Sequence, residues 1–571
     1  MFVHNSLYFG YFLHTGKIFP KSYNNDKQKA EITMALPLLQ ATTAQPSRRF
    51  DLSRLPLFLA GLLMSSASLA QPLAEAWFGL MPPPAFQAHA LPAILGERMP
   101  PPARIPPGEE QWQEFDGARL MQDLRRIVQF SFQSREDREL GSGQLWGRVS
   151  GFPSASRTVE WVVEQYREAG IRATEIQRFR QDSNTPFWMP LSWQVRLLAR
   201  PEFGVGSEDI ILDTAMPLSP SEIPDGPLRG QLVYVGKGSI AELSHIDVRG
   251  KIAVQQITPQ AHMVFERDLA VPNAQEMFRR GAIAVLNIVD LPGNERARDF
   301  SNCGGPCFNL GGRDGHFLTQ LFDRAATAGS ESQLEVELQL QTTSFTALSA
   351  QNGIGVIPGK DSSENFIINA HIDAWFDGAG DNGDGMAVQL ALARHFARPE
   401  NRLSRTLIFV ASAGHHSPGM NGPRNFVRMN PGIVSDTLLT LNIEHVAQRN
   451  LSPARSLAED GYREYTADAA EAPIVAGVTN GSPFLEQLFV DGTRLYGPNF
   501  VSGTSTMASG EGGGYRDIPA PIVTLMQAPP LYHTSGEVLE AISEPGLERV
   551  ARFLAYFIKA LDQASREQIA P

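Results

Sequence analysis

The sequence predicts an α/β protein in which helices flank a mainly parallel central sheet and a β-rich domain is inserted. Near-continuous apolar runs at 366–370, 406–411 and 438–443 are typical of strands that are buried on both faces. A helical segment at 386–397 separates the first two runs, and such alternation is typical of a parallel sheet. In the region 200–345, glycine-rich turns divide short β-rich runs, which predicts the inserted domain.

The domain organisation follows from length and composition. The chain has 571 residues, which is enough for two or three domains. Residues 1–71 form an upstream extension with a signal peptide, and 72–115 form a proline-rich linker. Because proline fixes φ and removes a donor, this linker is predicted to be an extended segment or a wrapping arm. Segments 116–199 and 346–571 make the main domain around the insert at 200–345.

Further elements follow from periodicity. Val159, Val162, Val163 and Tyr166 recur at helical spacing, which predicts an amphipathic helix that ends at Gly170. The other predicted elements are strands at 231–235, 251–254, 284–288 and 522–526 and helices at 274–280 and 547–561.

The charge balance restricts the class of partner. The formal net charge is −12, with 49 Lys and Arg against 61 Asp and Glu. Phosphate binding requires a basic face, so we expect no nucleic-acid partner. A mild acidic excess is otherwise ordinary for a soluble domain and indicates nothing further.

The N-terminal region predicts export. Arg48 and Arg49 precede an apolar run at 55–64, and small residues follow up to Ala70. This is the order of a signal peptide, and the apolar run is too short to span a bilayer. We expect cleavage near Ala70, a periplasmic or secreted protein, and no transmembrane span in the mature chain. Because the signal lies deep in the chain, Met34 is an alternative start.

The cysteine content is low. Cys303 and Cys307 are the two cysteines of the chain, with three residues between them. Redox pairs usually have two intervening residues, and no further cysteine could complete a thiolate zinc site. A structural disulfide that pins a Gly-Pro turn is therefore favoured in an exported protein, with free thiols as the alternative.

Imidazoles and carboxylates follow the ends of several predicted strands. Ligands collect at the carboxyl ends of strands in such sheets, and zinc and its neighbours prefer these side chains. Each has an ordinary explanation by itself; Asp381, for example, lies in good turn chemistry. Their convergence predicts a metal site. The residues are His371, Asp373, Asp381, His415, His416, Glu444 with His445, and His533.

These motifs resemble those of the co-catalytic zinc aminopeptidases, a family that includes glutaminyl cyclases, carboxypeptidase Q and the glutamate carboxypeptidase II and transferrin-receptor branch. The matching segments are His371-x-Asp373, 378–385 and 532–534, and the intervals between candidate ligands are also similar. The insert, with Asp-Val-Arg-Gly-Lys at 247–251, resembles a protease-associated domain. The resemblance covers roughly residues 116–565.

The resemblance implies a role for each residue. Asp381 would bridge two zinc ions, with His371 and Glu444 on one ion. His416 and His533 would hold the other ion. Asp373 would act in catalysis by orienting the ligands through hydrogen bonds. The implied function is metal-dependent hydrolysis of peptide or small amide substrates, by an aminopeptidase or a carboxypeptidase Q-like dipeptidase, with a homodimer possible by analogy with relatives.

Two departures from the family pattern leave alternatives open. Glu444 stands where the family usually has Asp, and His415–His416 stand where it has a Glu pair. His415 therefore occupies the position of the general base, a role that imidazole can fill near neutral pH. The alternatives are a catalytically degenerate binding protein of the cell envelope and a centre that prefers copper, iron or nickel. Glu511, in a glycine-rich loop, is either a substitute base or part of a surface loop.

Overall fold

The computed structural model describes residues 76–87, 94–95, 98–259, 267–298, 303–361, 363–454, 460–504 and 510–570. They fall within one unit, Ala70–Pro571. The predicted signal peptide, its cleavage near Ala70 and the alternative start at Met34 lie outside the described residues. None of the described helices is both long and apolar enough to cross a membrane.

The strands of the described chain, in order, are β1 (Ile94–Leu95), β2 (Ala173–Arg180), β3 (Phe187–Leu197), β4 (Ile210–Ile211), β5 (Met216–Pro217), β6 (Leu228–Tyr234), β7 (Ile252–Ile257), β8 (Ala284–Val289), β9 (Cys307–Leu310), β10 (Glu335–Phe345), β11 (Ser349–Ile357), β12 (Asn365–His371), β13 (Thr406–Ser412), β14 (Thr437–Glu444), β15 (Arg449–Ala454), β16 (Glu464–Glu471), β17 (Ile474–Val478), β18 (Phe500–Thr504) and β19 (Ile522–Met526).

The α-helices, in the same order, are α1 (Gly117–Glu136), α2 (Pro153–Glu168), α3 (Ile240–Leu243), α4 (Arg267–Arg279), α5 (Gly312–Ala328), α6 (Asp384–Ala397), α7 (Gly422–Met429), α8 (Pro431–Val434), α9 (Pro483–Tyr496), α10 (Glu544–Gln563) and α11 (Arg566–Ile569). The predicted strands and helices all correspond to observed elements, with ends that differ by a few residues.

The first eight-stranded sheet has the order β18-β17-β19-β14-β12-β13-β11-β2. Its centre, β19-β14-β12-β13, is parallel, as the continuous apolar runs predict. The strands β11 and β2 run antiparallel on one side, and β17 runs antiparallel to β19 on the other. Both β12 and β14 are buried along their whole length, because helices such as α6 cover the sheet. The fold is therefore a mixed α/β sheet with a parallel centre.

The second eight-stranded sheet has the order β4-β3-β10-β6-β7-β8-β9-β5. Its strands come from residues 187–345, so the predicted boundary at residue 200 is too late. The reason is that β3 pairs with β10 over its length, from Phe187 opposite Phe345 to Leu197 opposite Val336. The helices α3, α4 and α5 also belong to this region, which is therefore α/β rather than purely β-rich.

The described parts of the proline-rich segment form a wrapping arm. Trp77 is buried and its ring lies 5.9 Å from that of Phe317. Further along, β1 pairs with β16, and the Arg549 side chain donates a hydrogen bond to the Pro101 carbonyl. The arm is thus held by packing and hydrogen bonds rather than acting as a free linker.

The two cysteines form the predicted disulfide. Cys303 is bonded to Cys307 at the start of β9, and both are buried. They belong to a small apolar cluster of the second sheet that also includes Val285 and Met277.

Candidate metal centre

The predicted ligands come together at the carboxyl edge of the first sheet. β12 and β13 are parallel, with His371 opposite Ser412, so the residues that follow both strands lie at one edge. Because β14 and β19 run parallel to them, the residues that follow β14 and the loop with His533 reach the same edge. The strand-end pattern in the sequence is therefore a spatial cluster.

The carboxylate of Asp381 is the centre of this cluster. Its Oδ1 atom lies 3.1 Å from His371 Nε2 and 2.9 Å from His445 Nε2. Its Oδ2 atom lies 3.0 Å from His416 Nε2 and 2.9 Å from His533 Nε2. All five side chains are nearly inaccessible to solvent. Each oxygen of one carboxylate thus faces a pair of imidazoles.

A buried arginine braces the loop between His371 and Asp381. The Arg148 guanidinium donates hydrogen bonds to the carbonyls of Ile372, Asp377 and Gly378. Trp146 adds a hydrogen bond from its indole nitrogen to the Asp377 carboxylate. Burial lowers the pKa of Arg148 to about 10, so the guanidinium keeps its charge near neutral pH. The Trp-Gly-Arg segment therefore holds in place the loop that leads to Asp381.

Asp373 contacts the ligands rather than the centre of the cluster. Its carboxylate accepts hydrogen bonds from the backbone N–H groups of His415 and His416, at 3.3 and 3.0 Å. Its Oδ1 also lies 3.6 Å from His371 Nδ1. Although burial acts to raise the pKa of Asp373, the hydrogen bond with His371 and the nearby imidazoles hold it well below its usual range. Asp373 is therefore an ionised group that fixes the two-histidine turn.

His445, the residue after Glu444, lies against the Asp381 carboxylate. The chain turns sharply after β14, and His445 has a φ of 48°, in the left-handed region. Its backbone N–H donates to Asn382 Oδ1, and its Nδ1 faces the Gln527 carbonyl. The structure thus places His445, rather than Glu444, beside Asp381, while Glu444 lies with His371 in another group of donor atoms, so its role as a ligand stays a prediction. The signal in the sequence was the His445 imidazole, next to the acidic residue that the family pattern favours.

Glu444 instead forms a carboxylate cluster with Glu511. The Glu444 Oε1 atom accepts hydrogen bonds from Asn442 Nδ2 at 2.8 Å and from the backbone N–H of Glu511 at 2.6 Å. The Glu511 Oε2 atom accepts one from Ser412 Oγ at 2.9 Å. Donor atoms of His371, His415, Glu444 and Glu511 all lie within 4.8 Å of one another. We call these four residues the carboxylate cluster.

His415, a member of the carboxylate cluster, contacts two of the imidazoles that face Asp381. Its ring is stacked on that of His371, with centroids 4.3 Å apart, and it meets the His416 ring edge-on at 4.6 Å. Burial, followed by the charges of His371 and His416, holds the pKa of His415 well below its usual range. The ring is therefore neutral at neutral pH.

The Asp381 carboxylate raises the pKa of two imidazoles, His371 and His445. Burial acts to lower the pKa of His371, but hydrogen bonds with Asp373 and Asp381 outweigh it and raise that pKa well above its usual value. Burial also acts to lower the pKa of His445, but the charge of Asp381 outweighs it, so this pKa is raised as well. Burial opposes ionisation of Asp381, yet the imidazoles hold its pKa well below the usual range. Without metal, positive charge thus accumulates around the aspartate.

The donor set fits metal ions. His371, Asp381 and His445 form one group of donor atoms within 4.8 Å of one another, and Asp381, His416 and His533 form another. We call them the first and second donor groups. Although buried Asp381 Oδ2 and His416 Nε2 lie 3.0 Å apart, neither atom makes a hydrogen bond of good geometry, which is costly unless a cation is present. Imidazole nitrogen and carboxylate oxygen are the zinc ligands expected in catalytic sites.

Comparison with known proteins finds a family match over part of the chain and several similar solved structures. The sequence pattern of Peptidase family M28 matches residues 352–558, which contain both donor groups. The structure of an M28 peptidase precursor from Shewanella amazonensis SB2B is similar, with a TM-score of 0.55, 16% identity, and coverage of 80% of this chain and 99% of that one. BSAP, a zinc aminopeptidase from Bacillus subtilis, has a TM-score of 0.52, 17% identity, and coverage of 78% and 98% respectively.

At such identities these structures show the fold alone. No curated protein matches the chain by sequence. The family match and the shared fold agree with the motifs at 371–373, 378–385 and 532–534. Residues 352–558 therefore match Peptidase family M28, a metallopeptidase pattern, and the fold is similar to that of the two solved structures.

Proposed function

We propose that this chain hydrolyses peptide or related amide bonds with zinc held by the two donor groups. The observation that carries the proposal is the shared carboxylate of Asp381, which faces His371 and His445 through one oxygen and His416 and His533 through the other. A carboxylate that two pairs of imidazoles approach in this way suits the bridge of a two-metal site.

The side chains of this site would divide the work. His371 and His445 would hold one ion with Asp381, and His416 and His533 would hold the second. When bound, the ions polarise the amide carbonyl and acidify a water molecule. Asp373 keeps the turn with His416 in place through the backbone N–H groups from which it accepts hydrogen bonds.

His415 belongs to this proposal as a proton acceptor. Its neutral ring can accept a proton, and it lies beside both His371 and His416. Since burial lowers its pKa, the ring is a weak base and readily returns the proton to a leaving amine.

The substrate class and location are further parts of the proposal. The structural neighbour BSAP is a zinc aminopeptidase, which supports an aminopeptidase or dipeptidase activity for this chain. Export to the periplasm or medium is supported by the Cys303–Cys307 disulfide, since disulfides persist in oxidising compartments. We further propose that the second sheet acts as a protease-associated domain and that the chain can form a homodimer.

Metal content and a peptide-library digest test this proposal together. Purified mature protein should contain zinc and cleave a subset of the library, and His415→Ala should lower turnover. A preparation that binds no divalent metal and cleaves nothing would instead indicate a binding protein with a degenerate site. Copper, iron or nickel in place of zinc would indicate altered metal chemistry.

A further inference from the structure

Glu511 is a buried acid that belongs to neither of the two donor groups. The residue is 4% exposed, and its Oε1 atom makes no hydrogen bond. A neighbouring oxygen, Glu444 Oε2, is also buried without a hydrogen bond. Within the residues that the structure describes, neither carboxylate forms an ion pair with Lys or Arg. Two acids in this arrangement are stable when a proton or a cation is shared between them.

The loop around Glu511 is built to bring it into the site. Gly510 has a φ of 56°, and a Cβ atom there would overlap the Glu444 carboxylate, so only glycine allows this approach. The Glu511 backbone N–H is bonded to Glu444, and its Oε2 atom is bonded to Ser412. These two contacts orient the side chain, and the Glu511 carboxylate lies in the cluster with His371 and His415.

From this geometry we propose that Glu511 is the general base of the reaction. The inference rests on the proposed function and moves the main proton-accepting role from the His415 ring to the neighbouring carboxylate. His415 is stacked on His371, which limits how far its ring can turn toward a substrate. Glu511 has one oxygen that accepts a hydrogen bond from Ser412 and one buried oxygen without a hydrogen bond, which leaves that second oxygen available to accept a proton.

The proposed step balances. Glu511 Oε1 accepts one proton from water while the water oxygen forms a bond to the amide carbonyl carbon, and the carbonyl π pair moves to its oxygen. That pair then re-forms the carbonyl as the C–N bond breaks, and the C–N pair goes to nitrogen. Glu511 delivers its proton to the same nitrogen. Water and an amide become a carboxylic acid and an amine, with Glu511 restored.

The test compares wild type with Glu511→Gln, which keeps the shape and removes the base. Both are assayed as zinc-loaded mature protein on a panel of aminoacyl p-nitroanilides and on peptides from the library digest. We expect kcat to fall about 10²- to 10⁴-fold with little change in KM, and the acid limb of the kcat–pH profile to disappear. Zinc content, measured by elemental analysis, should stay at the wild-type value.

Two matched variants separate catalysis from folding. Asp314→Asn removes another buried carboxylate, one that is bonded to Thr214 and Asn294 in the second-sheet region, and should leave kcat unchanged. Glu511→Ala should regain activity, by about tenfold or more, when formate is added as a small external base. Such rescue would support the assignment even if Glu511→Gln lowers the melting temperature.

Three results would overturn the inference. They are a Glu511→Gln enzyme with near wild-type kcat, a Glu511→Gln protein that has lost zinc, and an unrescued Glu511→Ala. The second would make Glu511 a zinc ligand rather than a base. The proposed function survives each of these, whereas a wild-type chain without metal or turnover removes both proposals.

Discussion

The two sheets differ in how their buried polar side chains are hydrogen-bonded. In the second sheet, Gln255, Asn287 and Asn309 lie opposite one another on β7, β8 and β9. Gln255 Nε2 donates to Asn287 Oδ1, and Asn287 Nδ2 donates to Asn309 Oδ1, at 2.8 and 3.0 Å. At the edge of the first sheet, by contrast, Asp381 Oδ2 and Glu511 Oε1 are equally buried and make no hydrogen bond.

This difference indicates which polar cluster is structural. A buried polar atom without a hydrogen bond costs about 1–3 kcal/mol, so several together are unfavourable unless a ligand completes them. The amides of the second-sheet ladder donate hydrogen bonds to one another, which stabilises the fold. At the edge of the first sheet, the proposed cations and substrate would complete the polar groups, so substitutions in the two regions should have different consequences.

The largest effect is expected from Asp381→Asn. The substitution removes the charge that faces four imidazoles, so zinc should be lost from both donor groups. Activity should fall well beyond the roughly 10- to 100-fold typical of residues that only contact metal ligands. Zinc analysis and kinetics measure the change. The matched Asn287→Leu variant should instead destabilise the second sheet and leave zinc content intact. Equal zinc loss in the two variants would contradict the difference between the two sheets.

A second comparison decides between His445 and Glu444. We expect His445→Ala to weaken zinc binding by about 10²-fold or more, because its Nε2 atom faces Asp381 directly. Glu444→Gln keeps the size of the side chain and should change zinc affinity much less, since Glu444 belongs to the carboxylate cluster. Chelator competition measures both affinities. A larger loss of zinc affinity in Glu444→Gln than in His445→Ala would favour Glu444 as the ligand.

Metal binding should depend on pH through the imidazoles. In the metal-free protein the pKa values of His371 and His445 are raised, so zinc must displace protons and its affinity should rise with pH. Calorimetry in buffers of different ionisation enthalpy measures the protons released; His445→Ala should release fewer.

The same groups affect the stability of the metal-free protein. Because their folded-state pKa values lie above the unfolded value, their stabilising contribution is complete below about pH 6.5 and is lost as pH rises through the folded pKa. The melting temperature of chelator-treated protein should therefore fall over this window, and zinc should reverse the trend. A melting temperature that rises across the window would contradict the assignment.

The smallest effect is expected from removal of the disulfide. Cys303 and Cys307 close a short loop within the second sheet, so the double alanine variant should lose about 2 kcal/mol of stability. Denaturant unfolding under oxidising conditions measures the loss. Activity should be unchanged, because both cysteines lie in the apolar cluster of the second sheet rather than at the metal centre. A drop in kcat would show that this loop affects the metal centre.

Much of this arrangement could be predicted from sequence. Buried parallel strands have a strong apolar signal, and ligands at their carboxyl ends must meet at one edge, so His371, Asp381, His416 and His533 could be placed together. The first boundary of the insert could not be placed in the same way, because β3 pairs with β10, which is distant in sequence, and local patterns carry no information about that partner.

The contact between His445 and Asp381 could not be predicted from the sequence, and the reason is local. Which of two adjacent side chains points at Asp381 depends on the positive φ of His445, and a one-residue change in turn geometry reverses the choice. The approach of Glu511 was open for a similar reason, since it depends on the close packing of Gly510 against Glu444. Both features arise from tertiary contacts at the end of β14.

Zinc stoichiometry of the purified mature protein tests the central claim most directly. With excess zinc removed by gel filtration, elemental analysis should find about two ions per chain for wild type and near none for Asp381→Asn. The same wild-type sample should cleave an amide substrate. A wild-type chain that retains no divalent metal, or an Asp381→Asn chain that retains the wild-type amount, would contradict the account.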